Sequence, residues 1–246
     1  MSDPVVLDVL VLGHGDQGEA DRVLHLLSPV WGRVDAYARG ARASRRRFAG
    51  LAEPGTRVRA TLRRGRVPGD WSLIELDLLA APHRARQSYD RLLFLGYGCE
   101  VARTLTVPES PADKPFGLLE AWLAVLEADP APGRAARVAY EAKALTFAGL
   151  TPALTRCAVC GEARPEAWSF DAEAGGAVHR GCGAGRPADV EDLARIERLR
   201  RAPLSEAHAL PAPQGDAAWW LCDFLEHHAR RALRSRVLLS TIEEGG

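Results

Sequence analysis

Four residues in two short pairs, Cys157-Ala158-Val159-Cys160 and His179-Arg180-Gly181-Cys182, have the types and spacing of metal ligands. Each pair reads as a tight turn presenting two soft donors, and together they complete a tetrahedral Cys3His site suited to zinc. Gly161, Gly175, Gly176, Gly181 and Gly183 allow the turns, and Trp168 and Phe170 stand between the pairs to pack a small ribbon. A redox dithiol would sit in a thioredoxin-like βαβ unit, which does not surround this C-x-x-C. Catalytic zinc keeps an open position and a neighbouring acid–base, whereas four ligands fill the shell and no Glu is placed as in H-x-E…P-C-x-x-C deaminases. The expected metal is a structural Zn2+.

Gly13-His14-Gly15-Asp16-Gln17-Gly18 matches G-x-G-x-x-G behind an apolar stretch, and so raises a dinucleotide site at Gly13, Gly15 and Gly18. The surroundings oppose it. Asp16, Glu19 and Asp21 put negative charge where a helix N-terminus would hold pyrophosphate. The following segment runs barely ten residues to Pro29, Asp35 falls inside an alternating stretch, and no later βαβ alternation supplies a parallel sheet.

The third constellation is cationic. Between Arg33 and Arg66 stand eleven arginines against only Asp35 and Glu53, although the whole chain has a net charge of +0. Arg42, Arg45, Arg46 and Arg47 lie between Gly40 and Gly50 in an expected loop, flanked by Arg39 on one side and Arg57, Arg59 and Arg63 on the other. A loop and strand face of one sign form a track for phosphates, with Tyr37, Phe48 and Trp71 as candidate stacking surfaces for unpaired bases. Near the C-terminus, Arg230, Arg231, Arg234 and Arg236 follow Trp219, Trp220 and Phe224. They fit either simple charge complementation of a helix end or a basic-rimmed groove for an acidic, aromatic-ended peptide.

These residues need elements to carry them. With 246 residues and 47% apolar content the chain can bury a substantial core. The segments Val5 to Leu12, Arg22 to Leu27, Gly32 to Ala38, Thr56 to Arg63 and Trp71 to Leu79 read as strands, the last bulged where Leu73 adjoins Ile74. Thr56 to Arg63 alternates most strictly, with Val58, Ala60 and Leu62 opposite Arg57, Arg59 and Arg63. Five short strands predict a small closed OB-fold barrel over residues 1–80. From residue 81 the period becomes helical through Ser88 to Leu105, Phe116 to Leu126 and Ala135 to Phe147. Two later helices start at Asp189 and Asp216, the second running through Trp219, Trp220 and Phe224 to Leu233. The fold class is therefore α+β, with a zinc-binding segment at 155–186 inserted in a helical domain spanning 81–246. No apolar run approaches the ~18 residues of a membrane span, and Met1-Ser2-Asp3-Pro4 lacks a signal-like start, so a cytoplasmic protein is expected.

Taken together, the segments resemble the bacterial RecO recombination-mediator family over nearly the whole chain. Asp21-Arg22-Val23…Leu26-Leu27-Ser28 with Gly32 looks like its first hairpin, and Ala38-Arg39-Gly40-Ala41-Arg42…Ser44-Arg45 like its basic loop. Tyr97…Glu100 and Phe116-Gly117-Leu118-Leu119 are similar to its helical landmarks. Tyr140-Glu141-Ala142-Lys143…Gly149-Leu150-Thr151-Pro152…Cys157…Cys160-Gly161 is the most specific stretch, completed by Gly175-Gly176…His179…Cys182. His179 stands where zinc-bearing members commonly have Cys. The resemblance implies a non-enzymatic protein that binds single- and double-stranded DNA and anneals complementary strands. It further implies work with RecR and the single-strand-binding protein to load RecA in nucleoid DNA repair. Readings of other classes are an NAD-binding oxidoreductase on the glycine motif, and a zinc-stabilised adaptor without DNA binding.

Overall fold

The computed structural model describes residues 3–42, 48, 50–163 and 167–244. It divides into two compact units, Met1–Glu127 and Ala128–Gly246. The first opens with five strands: β1 (Val5–Gln17), β2 (Asp21–Ser28), β3 (Gly32–Ala38), β4 (Arg57–Arg64) and β5 (Trp71–Ala80). They close a barrel in the order β1-β2-β3-β5-β4. All pairings are antiparallel except a short parallel one between β3 and β5, at Ala36–Trp71 and Tyr37–Ser72. This is the expected OB-fold arrangement.

Period-two patterning explains the closure. Val58, Ala60 and Leu62 of β4 and Val34, Ala36 and Ala38 of β3 all enter the barrel core, while the residues between them face outward. One of two irregularities in β5 is the expected bulge: Thr61 pairs with Glu75 and Leu62 with Leu73, so Ile74 is the extra residue.

The glycine motif takes no part in a phosphate loop. β1 continues beyond Leu12 through Gln17, and its extension pairs with β2 from Gly13–His25 to Gln17–Asp21. Gly13 and Gly15 are strand residues and Gly18 begins the hairpin turn, so the motif does not open a helix whose N-terminus could hold a phosphate. Asp35, the candidate ribose carboxylate, instead accepts from His25 Nδ1 at 2.6 Å. The dinucleotide reading therefore lacks its structural basis.

Three helices complete this unit: α1 (His83–Gln87), α2 (Tyr89–Leu105) and α3 (Asp113–Glu127). β1 is buried on both faces from Val9 to Leu12, because its outer side is covered by α2. Trp122 of α3 donates its indole N–H to the Phe94 carbonyl of α2 at 3.1 Å, fixing the helix pair.

The second unit holds α4 (Arg134–Phe147), a ribbon of β6 (Trp168–Asp171), β7 (Gly176–His179) and β8 (Arg186–Ala188), then α5 (Val190–Arg201), α6 (Trp220–Ala229) and α7 (Arg234–Glu244). The ribbon order is β7-β6-β8. α4 is the buried axis, packed against α5 and α6, with Val138, Tyr140, Ala142 and Leu145 in the interior. Arg137 and Glu141 are buried beside them as an ion pair at 2.7 Å. Asp189 caps α5 as expected, accepting the Glu191 N–H at 2.8 Å.

The single helix expected from Asp216 to Leu233 is broken. Asp216 lies in a 3-10 turn, Gly215–Trp219, and α6 starts only at Trp220. It stops where Arg230 turns left-handed at φ 51, with the Arg231 N–H bonded back to the Glu226 carbonyl at 3.1 Å. Glu226 then accepts the Leu233 N–H at 2.7 Å, and α7 begins as a separate helix.

Candidate metal centre and nucleic-acid interface

The four predicted ligands converge. The Sγ atoms of Cys157, Cys160 and Cys182 and a ring nitrogen of His179 lie within 4.8 Å of one another. Two knuckles bring them there. The Cys157 turn closes through Gly161 N–H to Cys157 O at 2.9 Å, and β7 delivers His179 into a turn closed by Cys182 N–H to His179 O at 2.8 Å. Gly176 enters β7 at φ 129 and leaves no room for a Cβ against the Ala153 backbone, so only glycine fits this corner. Trp168 backs the site, its ring 4.4 Å from that of His179, and Phe170 stacks on Trp220 at 5.1 Å.

The geometry and the donor chemistry both fit a tetrahedral cation. His179 Nδ1 lies 3.5 Å from Cys160 Sγ and 4.0 Å from Cys182 Sγ. Bond lengths of ~2.3 Å to sulfur and ~2.0 Å to nitrogen give tetrahedral edges of about 3.5 Å. Burial opposes a thiolate at Cys157, yet backbone N–H groups of Cys160, His179 and Val159 draw its pKa down to about 6. Burial and the two neighbouring thiols push Cys182 up to about 11. One thiolate forms readily while its neighbours resist a second negative charge, and a bound divalent cation removes that conflict.

The predicted basic residues fall into separate groups. Arg39 and Arg42 are exposed just past β3, beside the β1–β2 hairpin. Arg57, Arg59 and Arg63 share the outer face of β4, which neighbours β1 and β5 but not β3. Arg45, Arg46 and Arg47 lie outside the described residues. The β4 face is also less cationic than its sequence implies. Asp8 of β1, paired across from Arg59, binds Arg59 at 3.5 Å and Arg57 at 3.7 Å, and Glu120 binds Arg57 at 2.6 Å. Of the three candidate stacking residues, only Tyr37 reaches solvent. Phe48 and Trp71 are 3% and 2% exposed and fill the barrel core, Trp71 through the inward register of β5 and Phe48 from the connection between β3 and β4.

Arg230, Arg231 and Arg234 are exposed around the α6–α7 junction. Arg236 differs from them: it binds Asp223 at 2.7 Å and Glu226 at 2.6 Å and lies over the Trp219 ring, so it braces the junction.

Family models for the N-terminal and C-terminal parts of recombination protein O match residues 1–69 and 86–237. The chain belongs to the RecO family. Relatives named DNA repair protein RecO are similar to it along nearly their full length. That of Anaeromyxobacter dehalogenans (strain 2CP-C) is 41% identical, covering 98% of this chain and 97% of its own. That of Myxococcus xanthus (strain DK1622) is 37% identical over 93% of both chains, and that of Geobacter sulfurreducens is 31% identical over 96% and 97%. The two RecO matches take in β1 to β4 of the barrel, all four candidate metal ligands and α4 to α6. Among the described residues, no helix of this RecO chain is long and apolar enough to cross a membrane.

Two features of this RecO chain escaped the sequence reading. Asp8 carries the only acidic side chain in an otherwise apolar β1 start, and its outward position follows from the same alternation that exposes Arg59. Arg64 lies over both Trp31 and Trp71 and binds Glu109 at 2.7 Å, a tertiary arrangement with no local signature.

Proposed function

We propose that this chain is a non-enzymatic DNA-binding recombination mediator. It binds single- and double-stranded DNA through arginines of the barrel unit: Arg39, Arg42, Arg45, Arg46, Arg47, Arg57, Arg59 and Arg63. It anneals complementary strands and helps load the recombinase RecA onto DNA coated by the single-strand-binding protein, with RecR as a partner and the cytoplasmic nucleoid as the setting. The observation that carries the reading is the RecO match at both ends of the chain, laid over a barrel whose β3 end presents exposed Arg39. The acidic tail of the single-strand-binding protein is assigned to the exposed arginines Arg230, Arg231 and Arg234.

Zn2+ at Cys157, Cys160, His179 and Cys182 has a structural role in this scheme. Four protein ligands leave no position for an activated water, and the ion ties the Cys157–Cys160 and His179–Cys182 knuckles to each other.

A zinc-stabilised adaptor without DNA binding is the second reading, favoured by the neutralisation of Arg57 and Arg59 by Asp8. Fluorescence anisotropy of a labelled single strand, titrated over sodium chloride with the full-length protein, separates the two. Affinity falling linearly with log salt supports the mediator. No binding at low salt overturns the mediator and leaves the adaptor.

A further inference from the structure

Asp21 ends the β1–β2 hairpin turn and faces the far end of β3. One carboxylate oxygen accepts the Gly40 N–H at 2.6 Å, and the other accepts the Tyr37 hydroxyl. These two partners bracket Arg39, which is exposed between them. The Gly40 contact, followed by the Tyr37 one, holds the Asp21 carboxyl below its ordinary pKa, and the same bond raises that of Tyr37. A second strap lies two residues on. Arg42 donates its backbone N–H to Ala20 O at 3.0 Å and Nη1 to Gly18 O at 3.0 Å, and its Nε lies 3.7 Å from Asp16.

We propose that Asp21 is a positioning residue for DNA binding, holding Tyr37 and Gly40 so that Arg39 is presented to phosphate at the barrel edge. Arg42 belongs to the strap and Arg39 to the contact. The proposal rests on the DNA-binding reading above and assigns distinct roles to two of its arginines. It also gives a purpose to Asp16 and Asp21 of the hairpin, which on charge alone would repel DNA. Gly40 sits at φ 69, a conformation that needs both glycine and an outside partner for its N–H, and Asp21 supplies that partner.

The sign of one substitution separates positioning from simple charge. Deleting a carboxylate beside a cationic face strengthens phosphate binding if only Coulomb energy matters. Positioning demands the reverse. The experiment is anisotropy of a labelled oligo-dT strand with full-length, zinc-loaded protein, comparing Asp21→Ala, Asp21→Asn, Tyr37→Phe and Arg39→Ala. Asp21→Ala should weaken binding about tenfold, the scale of a charge-assisted hydrogen bond, and should speed exchange of the Gly40 amide. Asp21→Asn keeps an acceptor and should bind at least as tightly as the wild type. Tyr37→Phe keeps every charge and should lose about threefold, so it carries the test if Asp21→Ala does not fold. Wild-type or tighter binding by Asp21→Ala, with Arg39→Ala weakened, overturns the positioning role while leaving DNA binding intact. Unchanged affinity in Arg39→Ala removes the contact itself, and the proposal with it.

Discussion

Arg137 and Glu243, 106 residues apart, meet side-on in the interior of the second unit, with Nε to Oε1 and Nη2 to Oε2 both at 2.7 Å. Arg137 is fully buried, also binds Glu141 at 2.7 Å and the Ala218 carbonyl at 3.0 Å, and packs on the Trp219 ring at 3.8 Å. One guanidinium thus joins α4, α7 and the turn before α6. Replacing it takes the Arg137 ion pair from two carboxylates with 0% and 5% side-chain exposure, although Arg134 stays 3.6 Å from Glu243. Arg137→Ala should therefore destabilise the protein by about 3–5 kcal/mol in urea unfolding, the usual cost of breaking a buried pair from one side. Glu243→Gln keeps part of the hydrogen bonding and should cost less.

Metal analysis of purified protein should return about one zinc per chain. Cys157→Ser should lower zinc content and thermal midpoint together, since structural zinc contributes directly to folding. Cys99→Ser should leave zinc unchanged, because that thiol is buried in the first unit and pushed up to about 12 by desolvation. Protein without zinc after chelator-free purification would remove the metal centre.

For DNA binding, the arginine cluster gives a quantitative expectation. Each phosphate contact on a single strand contributes a salt slope of about 0.7. Replacing Arg45, Arg46 and Arg47 with Ala should flatten the slope by up to about two units and weaken binding evenly across DNA sequences. Zinc content and melting temperature should stay at wild-type values, and annealing should slow in parallel. A variant with unchanged slope and affinity places the phosphate contacts on other residues.

At the α6–α7 junction, charge reversal of Arg230, Arg231 and Arg234 should abolish binding of an acidic, aromatic-ended peptide in anisotropy while naked DNA still binds. Arg236 is left out of the variant because its ion pairs with Asp223 and Glu226 hold the junction together. Wild-type peptide affinity in the folded variant moves the peptide site elsewhere.

What the sequence revealed follows from the range of each signal. Alternation at Val58, Ala60 and Leu62 is local, so β4 and its inward face were legible, and the ligand pairs were legible because each knuckle lies within four residues. The extension of β1 through Gly13–Gln17 was not, since glycines leave no apolar period and the pairing with β2 is carried by backbone. Phe48 and Trp71 resembled stacking aromatics because an aromatic at a strand or loop end has no fixed side until the register is known. The end of α6 was hidden for another reason: Arg230 occupies a left-handed cap that arginine rarely marks. Arg137 carries no local signal of its burial, because its partner Glu243 lies 106 residues on.

On the proposed DNA-binding reading, Asp8 between Arg57 and Arg59 bears on how a strand is released. A phosphate that takes its place sets free a carboxylate, which then gathers a cation of its own from the solvent. On that reading the exchange returns less net salt to solution, so these two arginines add less ionic-strength dependence than unpaired ones would. The carboxylate stays tethered beside them as a competitor at fixed local concentration, ready to retake both guanidinium groups whenever the strand lifts. On the same reading, contacts of this kind give way one phosphate at a time, as the proposed hand-over of a strand requires.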